Sequence, residues 1–507
     1  MFITLRNSIL KIILLLSCLV LLGLHLCVPI NLTVVDIGRH IKNGELILKG
    51  ESQVLYKNFY SFTYPDYAFI NHHWFFGVIS YLIFCISGFN GLSLFYISLL
   101  VLTFLLAFDS ARRYCNFNLG IFWSILAFVL MTSRPEIRPE GISVFLVALD
   151  FWLLQRYVQR SISDRVLLSI IPLAQIFWVN THIFFFLGPI IIGIFLWQAQ
   201  WAGDTKERVG FLWRLLLITI LVNLINPSGI GGMLTPLNGF KKFGYELAEN
   251  QTVFFMINRF GDNFTYKYAV LAAIVMIGGM IVALCREKFK ALPMIILAAF
   301  VTAATFRAVR LIMPFGFLFI PLAAYLYGPF IQKKTIGFVI GSLSVLGIIL
   351  YILFTPIHPH IGLMPNVNAS ADFYKQSGLK GPIFSNYDIG GYLIYHLGPQ
   401  EKVFVDNRQE AFPPDFFQKV YIPMQEDDKV WEEVSNKYGF NVIYFNRHDL
   451  TPWGQQFMID RLSDPQWAPV FVDDYVLMMA RRRSVNQGVI DRFLLPIGMF
   501  RVVNTKT

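Results

Sequence analysis

WFFGVISYLIFCIS, residues 74–87, is almost wholly apolar but only 14 residues long. A transmembrane helix needs about 20 apolar residues, so this stretch has the length of an interfacial segment. Eleven longer or better-flanked apolar runs lie around it, at 10–30, 91–108, 119–132, 141–157, 166–180, 183–202, 215–225, 265–285, 291–306, 311–331 and 335–355. Every loop after residue 87 changes sides according to whether 74–87 crosses.

Charge decides the question. The 507-residue chain is 55% hydrophobic and only 15% charged, with a mean hydropathy of +0.55. Soluble domains carry about 25% charged residues, which excludes a purely soluble or a disordered protein. The formal net charge is +10. Residues 356–507 hold 17 acidic and 15 basic side chains, so residues 1–355 carry the excess, with 27 basic against 15 acidic. If 74–87 stays on one side, 15 of those 27, among them Arg112, Arg113, Lys333 and Lys334, fall in inner loops. The short outer loops then keep only Arg134, Arg138, Arg307 and Arg310. The opposite choice inverts the positive-inside bias. The expected chain is therefore a polytopic α-helical membrane protein, with about 11 spans and a juxtamembrane helix at 74–87. Its N-terminus is cytoplasmic, and an α/β domain at 356–507 lies outside. The first run follows Arg6 and Lys11 and reads as an uncleaved anchor in the plasma (bacterial inner) membrane. The basicity marks topology, and no basic run interleaved with stacking aromatics points to nucleic acid.

This topology gathers unusual polar residues on the outer face. The first outer loop, 31–73, contains VVDIGRHIKNGELIL (34–48). Helical spacing sets Asp36 and His40 at i, i+4 on one face and Ile37, Ile41 and Leu48 on another, an amphipathic surface helix. A carboxylate stabilised at its own helix N-terminus is the plainer alternative. His72 and His73 close this loop before an aromatic WFF, where interfacial anchoring competes with a binding role. SRPEIRPE (133–140) sets out Arg134, Glu136, Arg138 and Glu140 on a proline-stiffened loop. VNTH (179–182) supplies Asn180 and His182, which helix capping also explains. The 226–264 loop brings Glu249, and FRAVR (306–310) brings Arg307 and Arg310. Outer arginines oppose the positive-inside bias and suit bidentate binding of phosphate. Carboxylates nearby suit deprotonation of a hydroxyl or binding of a metal. Asp150, deep in a span, is by default a functional candidate, and a buried hydrogen bond, with Gln175 as a partner, is an equal alternative.

In the outer domain, PIFSNY, KVFVDNR and NVIYFNR have strand composition, and 425–438 is helical in character. No GxGxxG, GxxxxGK or GxSxG occurs there, so nucleotide binding and serine hydrolysis lack support. Asp406 and Arg408 read as a surface ion pair. None of the five cysteines falls in 356–507, and no CxxC pair exists.

An acidic residue directly after the first span, a long first outer loop with a juxtamembrane segment, and arginines on later outer loops resemble the GT-C superfamily of membrane glycosyltransferases. The chain also resembles an uncharacterised bacterial GT-C-like group. That likeness rests on the order of DIGRHIKNGELIL, NFYSFTYP, INHHWFFGVISYL, SRPEIRP, WVNTHIFFFLG, NPSGI, SNYDIGGYLIYHL and KVFVDNRQE. The resemblance implies transfer of a sugar from a polyprenyl-phosphate-linked donor to an acceptor on the outer face, with inversion. It implies a catalytic group at Asp36, with His40 and Glu140 beside it. Arg134, Arg138, Arg307 and Arg310 would bind the donor phosphate. His72, His73, Asn180, His182 and Glu249 would contact substrate. Asp36 has no adjacent acid and no DxD precedes residue 356. A divalent metal, held by Asp36 and Glu140 if by any residues, is thus an open expectation, and neither the sugar nor the acceptor is specified. An envelope polysaccharide ligase or polymerase, a lipid or sugar transporter, and a non-catalytic scaffold are the alternatives. The early position of the polar residues disfavours the first, and the lack of an internal repeat disfavours the second.

Overall fold

The structure is a computed structural model and describes residues 2–238, 243–328, 346–347 and 358–501. Two compact units form. One comprises Met1–Val28, Leu92–Pro236 and Glu246–Ile361; the other comprises Pro29–Gly91, Leu237–Tyr245 and Gly362–Thr507. A boundary at 355/356 left the first loop with the membrane helices. The contacts instead group residues 29–91 with the C-terminal domain.

The first unit is helical. It contains α1 (Phe2–Leu26), α4 (Phe117–Met131), α5 (Glu140–Val158), α6 (Asp164–Val179), α7 (Leu187–Trp201) and α8 (Lys206–Leu221). Three further helices are Phe264–Glu287, Leu292–Arg307 and Ile312–Tyr327. Ten of the eleven expected apolar runs coincide with helices. The eleventh, 335–355, lies almost wholly outside the described residues. Among the described residues, six helical stretches are long and apolar enough to cross a membrane. Helix Ile312–Tyr327 is apolar on every side, and almost all of it is buried, as a helix at the centre of a bundle must be. Gly316 lets it touch α4: a Cβ there would fall 2.6 Å from the backbone nitrogen of Met131. At the start of α4, the Asn116 side chain accepts from Leu119 N–H at 3.0 Å and caps the helix.

The second unit contains α2 (Ile37–Leu48) and the start of α3 (Trp74–Ala111). Inside α3 the backbone leaves the helix at Ser87 (φ −144°) and Gly88 (φ +60°), so two helices meet at a kink. Gly88 makes the break possible, because a side chain strains this conformation. The break falls where the apolar stretch 74–87 ends, which separates that stretch from the long helix after it. The C-terminal part holds a four-stranded sheet in the order β1 (Ile383–Ser385), β2 (Val442–Asn446), β4 (Val476–Arg481), β3 (Trp467–Val472). β1 pairs parallel to β2, and the other pairs are antiparallel. β2 is central and buried along its whole length, which explains its unbroken VIYFN sequence. Phe384 of β1 packs on Trp431, Phe440 and Phe457 with ring centroids 5.0–5.6 Å apart. Helix Asp428–Tyr438 begins where the Asp427 side chain accepts from Lys429 and Val430 N–H groups, and it ends at Gly439 with φ +66°.

Two of the three expected strands form. KVFVDNR does not join the sheet. Its Val403 bonds backbone to backbone with the first loop, donating to Tyr60 O at 2.9 Å and accepting from Phe62 N–H at 3.1 Å. β3 and β4 were not anticipated from sequence.

Candidate functional site

Each unit carries its own cluster of charged side chains. In the first unit the cluster centres on Glu249. This residue sits on a single turn, Ala248–Asn250, beside a second turn, Val309–Leu311. Val309 N–H donates to Gln251 O at 3.0 Å and holds the two turns together. The Glu249 carboxylate accepts from Arg134 at 2.5 Å and Arg138 at 3.2 Å. Arg310 lies 3.6 Å from its other oxygen and 5.6 Å from the centre of the Phe184 ring. Arg134 also pairs with Glu140, the first residue of α5, at 2.7 Å. Pro135 and Pro139 stiffen the loop that carries both arginines.

Burial alone would raise the Glu249 pKa. Arg134, Arg138 and Arg310 more than reverse this and bring it to about 2. Burial likewise opposes the charge on Arg134, but Glu140 and Glu249 outweigh it and raise its pKa. The cluster is thus a carboxylate held by three guanidiniums. Its two acids differ in access: the Glu249 side chain is 29% exposed and that of Glu140 is 8%.

Other candidates in this unit sit elsewhere. Arg307 is exposed at the last turn of helix Leu292–Arg307, and among the described residues no ion pair joins it to Glu249. Asn180 ends α6 and donates to the carbonyls of Ile176 and Ile225, both at 2.8 Å. His182 is buried, with Nδ1 2.7 Å from the Ser143 hydroxyl, which also accepts from Trp178 at 2.6 Å. These contacts tie helix ends together. Asp150 is buried but is not joined to Gln175, whose amide donates to Asn223 and to Phe185 O.

In the second unit Asp36 directly precedes α2. One of its oxygens accepts from the Asn407 side-chain amide, and the other lies 3.4 Å from Arg39. Arg39 also donates to the Asn407 side-chain oxygen at 3.0 Å. The three groups form a closed triad in which the carboxylate remains 26% exposed. The polar face of α2 is not a solvent face: Arg39, His40 and Asn43 are all buried. The sequence suggested a surface helix because its polar residues are spaced for one. The C-terminal domain, through Asn407, and the segment after α2 supply partners for them instead. Tyr60, for example, donates to the Asn43 side chain at 2.7 Å. His40 packs edge-on against His73 and Phe76. The rings of His72 and His73 are 4.0 Å apart, and His72 Nδ1 is 3.3 Å from Ile70 O.

Asp406 and Arg408 are not at the surface. Their side chains are 0% and 2% exposed and pair at 2.6 Å. Arg408 also donates to Asn58 at 2.9 Å and lies over the rings of Tyr60 and Phe69. Asn407, between them, is the residue that sequence reasoning passed over, although it stands inside the noted VDNRQE motif.

Among the described residues no group of three or more His, Cys, Asp and Glu side chains comes together as a metal site. Asp36 meets an amide and a guanidinium, and Glu140 meets a guanidinium. Neither set of neighbours is a metal-ligand set, since both supply donors to the carboxylate.

No protein-family model and no curated protein sequence matches the chain. Solved structures do resemble it. The archaeal oligosaccharyltransferase AglB of Archaeoglobus fulgidus, in complex with an inhibitory peptide and a dolichol-phosphate, aligns with a TM-score of 0.57 at 11% identity, over 92% of this chain and 74% of that one. A second structure of the A. fulgidus oligosaccharyltransferase, with Zn and sulfate, gives 0.55 at 11% identity, over 92% and 73%. ArnT from Cupriavidus metallidurans, bound to undecaprenyl phosphate, gives 0.50 at 12% identity, over 95% and 99%. The chain has the fold of these structures. It is a polytopic helical membrane protein with a small C-terminal sheet domain.

Proposed function

We propose that this protein is a membrane glycosyltransferase that moves a sugar from a polyprenyl-phosphate-linked donor to an acceptor hydroxyl on the outer face of the plasma membrane. The observation that carries the reading is the convergence of Arg134, Arg138 and Arg310 on one anion. Two of the structures with this fold hold a polyprenyl phosphate. In this proposal the three guanidiniums bind the donor phosphate and stabilise the charge it gains as the sugar leaves. The exposed part of the Asp36 carboxylate takes the proton of the acceptor hydroxyl. The hydroxyl oxygen then bonds to the anomeric carbon. The bond from that carbon to the phosphate oxygen breaks, its electron pair leaves with the polyprenyl phosphate, and configuration inverts. Asn407 and Arg39 fix the orientation of Asp36. No step is routed through a metal, because the neighbours of Asp36 and Glu140 do not suit one. His40, His72 and His73 are proposed to shape the surroundings of Asp36, and Arg307 to lie outside the phosphate contact. The N-terminus is proposed to be cytoplasmic and 356–507 external.

The test is transfer from a radiolabelled polyprenyl-phosphate sugar by the purified full-length protein. Asp36→Asn is expected to lower transfer by at least about 10²-fold, while Arg138→Ala is expected to weaken use of the donor. Normal transfer by Asp36→Asn removes the base assignment. A reporter fused after residue 355 that reads cytoplasmic removes the topology.

A further inference from the structure

We infer that Glu249 is an internal occupant of the arginine cage, which the phosphate of the lipid donor must displace before it binds. The inference rests on the phosphate reading of the cage and adds to it how the site is gated. Its basis is geometric. A carboxylate and a phosphate present the same feature to a guanidinium, a pair of anionic oxygens that accept N–H donors. Glu249 already satisfies three guanidiniums with its two oxygens, at 2.5, 3.2 and 3.6 Å. A second anion therefore competes with it for the same donors.

The two acids of the cluster divide the work. Glu140 is nearly enclosed, begins a long helix and meets only Arg134 among the three arginines. It fixes that arginine whether or not a ligand is present. Glu249 is over three times more exposed and sits on a single turn. A phosphodiester carries one negative charge, as Glu249 does. Exchange of one for the other leaves the charge facing Arg134, Arg138, Arg310, Glu140 and the nearby Glu136 unchanged. Loss of Glu249 with no replacement leaves guanidiniums without an anion, which is costly in a partly buried site. The cage is thus kept filled between turnovers, and an ordinary neutral lipid has nothing to offer it. The strength of the hold on Glu249, seen in its low pKa, sets how much affinity the donor gives up. A site competent only when Glu249 is out shows an apparent Kd raised in proportion to the closed fraction.

The experiment measures binding of undecaprenyl phosphate to the full-length protein in nanodiscs. It compares wild type with Glu249→Gln, Glu249→Asp and Arg138→Ala, with thermal unfolding as the folding check. Glu249→Gln, which keeps the shape and loses the charge, is expected to bind about tenfold more tightly. Glu249→Asp, which shortens the reach but keeps the charge, is expected to fall between. Should Glu249→Gln not fold, Glu249→Asp alone decides, and its affinity must exceed that of wild type. Unchanged or weaker binding by the folded variants, with Arg138→Ala impaired, overturns the gating role and leaves the phosphate site standing. Binding by Arg138→Ala equal to wild type overturns both.

Discussion

The Glu249 cluster of the first unit and the Asp406–Arg408 pair of the second are built from the same two side-chain types. One is shared and partly open, with three guanidiniums around a carboxylate that is 29% exposed. The other is balanced and sealed, with one guanidinium on one carboxylate, no more than 2% exposed on either side. A sealed pair holds backbone in place. Arg408 links the VDNRQE segment to Asn58 of the first loop, and so helps to place Asn407 beside Asp36. Several guanidiniums that meet on one partly exposed carboxylate are the arrangement in which a second anion can compete. Count and exposure, rather than the presence of an ion pair, separate the cluster proposed to bind from the structural one.

The sharpest test of this contrast is the residue that the sealed pair helps to position. Asp36→Asn is expected to lower transfer about 10²- to 10⁴-fold, the usual range for loss of a general base, with folding intact by thermal unfolding. Arg408→Ala is expected to cost about 3–5 kcal/mol of stability, because it strands a buried carboxylate; denaturant unfolding in detergent measures it. A loss below about 1 kcal/mol makes the pair no more structural than a surface one. In the open cluster, Arg138→Ala is expected to weaken binding of undecaprenyl phosphate about 10- to 100-fold, the worth of one charged hydrogen bond, while unfolding shifts little.

Acid separates the units further. Burial, with Lys375 and Lys42 adding to it, lowers His396 to about 3. The folded state therefore holds His396 neutral while the unfolded chain takes up a proton below about 6.5. Stability is full above that pH and falls as pH drops from 6.5 toward 3, by about 1–2 kcal/mol at pH 5. Glu249 behaves differently over the same range. Its contribution is present above about 4.5 and is lost only as pH falls toward 2. Unfolding followed between pH 7 and 5 should thus show a loss that His396→Phe removes and Glu249→Gln does not. The smallest effect belongs to Arg307→Ala, which is expected to leave phosphate binding within about twofold of wild type, because this exposed residue lies outside the cluster.

The helical part of the fold was legible because the length of an apolar run is a local, additive property. The end of the 74–87 segment was readable from length alone, and Gly88 supplies the break at that point. The sheet was half legible. VIYFN is a central strand and looks like one, but KVFVDNR has equal strand character and bonds to the first loop instead. Composition reports that a segment is extended, not which edge it meets. The same limit governs the site. Arg134, Arg138 and Arg310 stood out because few arginines fall in the short loops expected to be outer. Nothing local says that they share Glu249, more than 100 residues from the first two. Asn407 was missed for this reason: its partner lies 371 residues away.

Gly44 of α2 and Gly77 of α3 face each other. A Cβ on Gly44 would fall 2.1 Å from the carbonyl oxygen of Gly77, so α2 and the first part of α3 touch backbone to backbone. Nothing as compressible as a side chain lies between them. If 74–87 floats at the membrane surface as proposed, α2 floats with it, like an outrigger lashed to its hull. The height of Asp36 above the lipid is then fixed to within the play of two main chains. The bilayer would then serve as a ruler for that carboxylate, and a single methyl group at either glycine would reset the gauge.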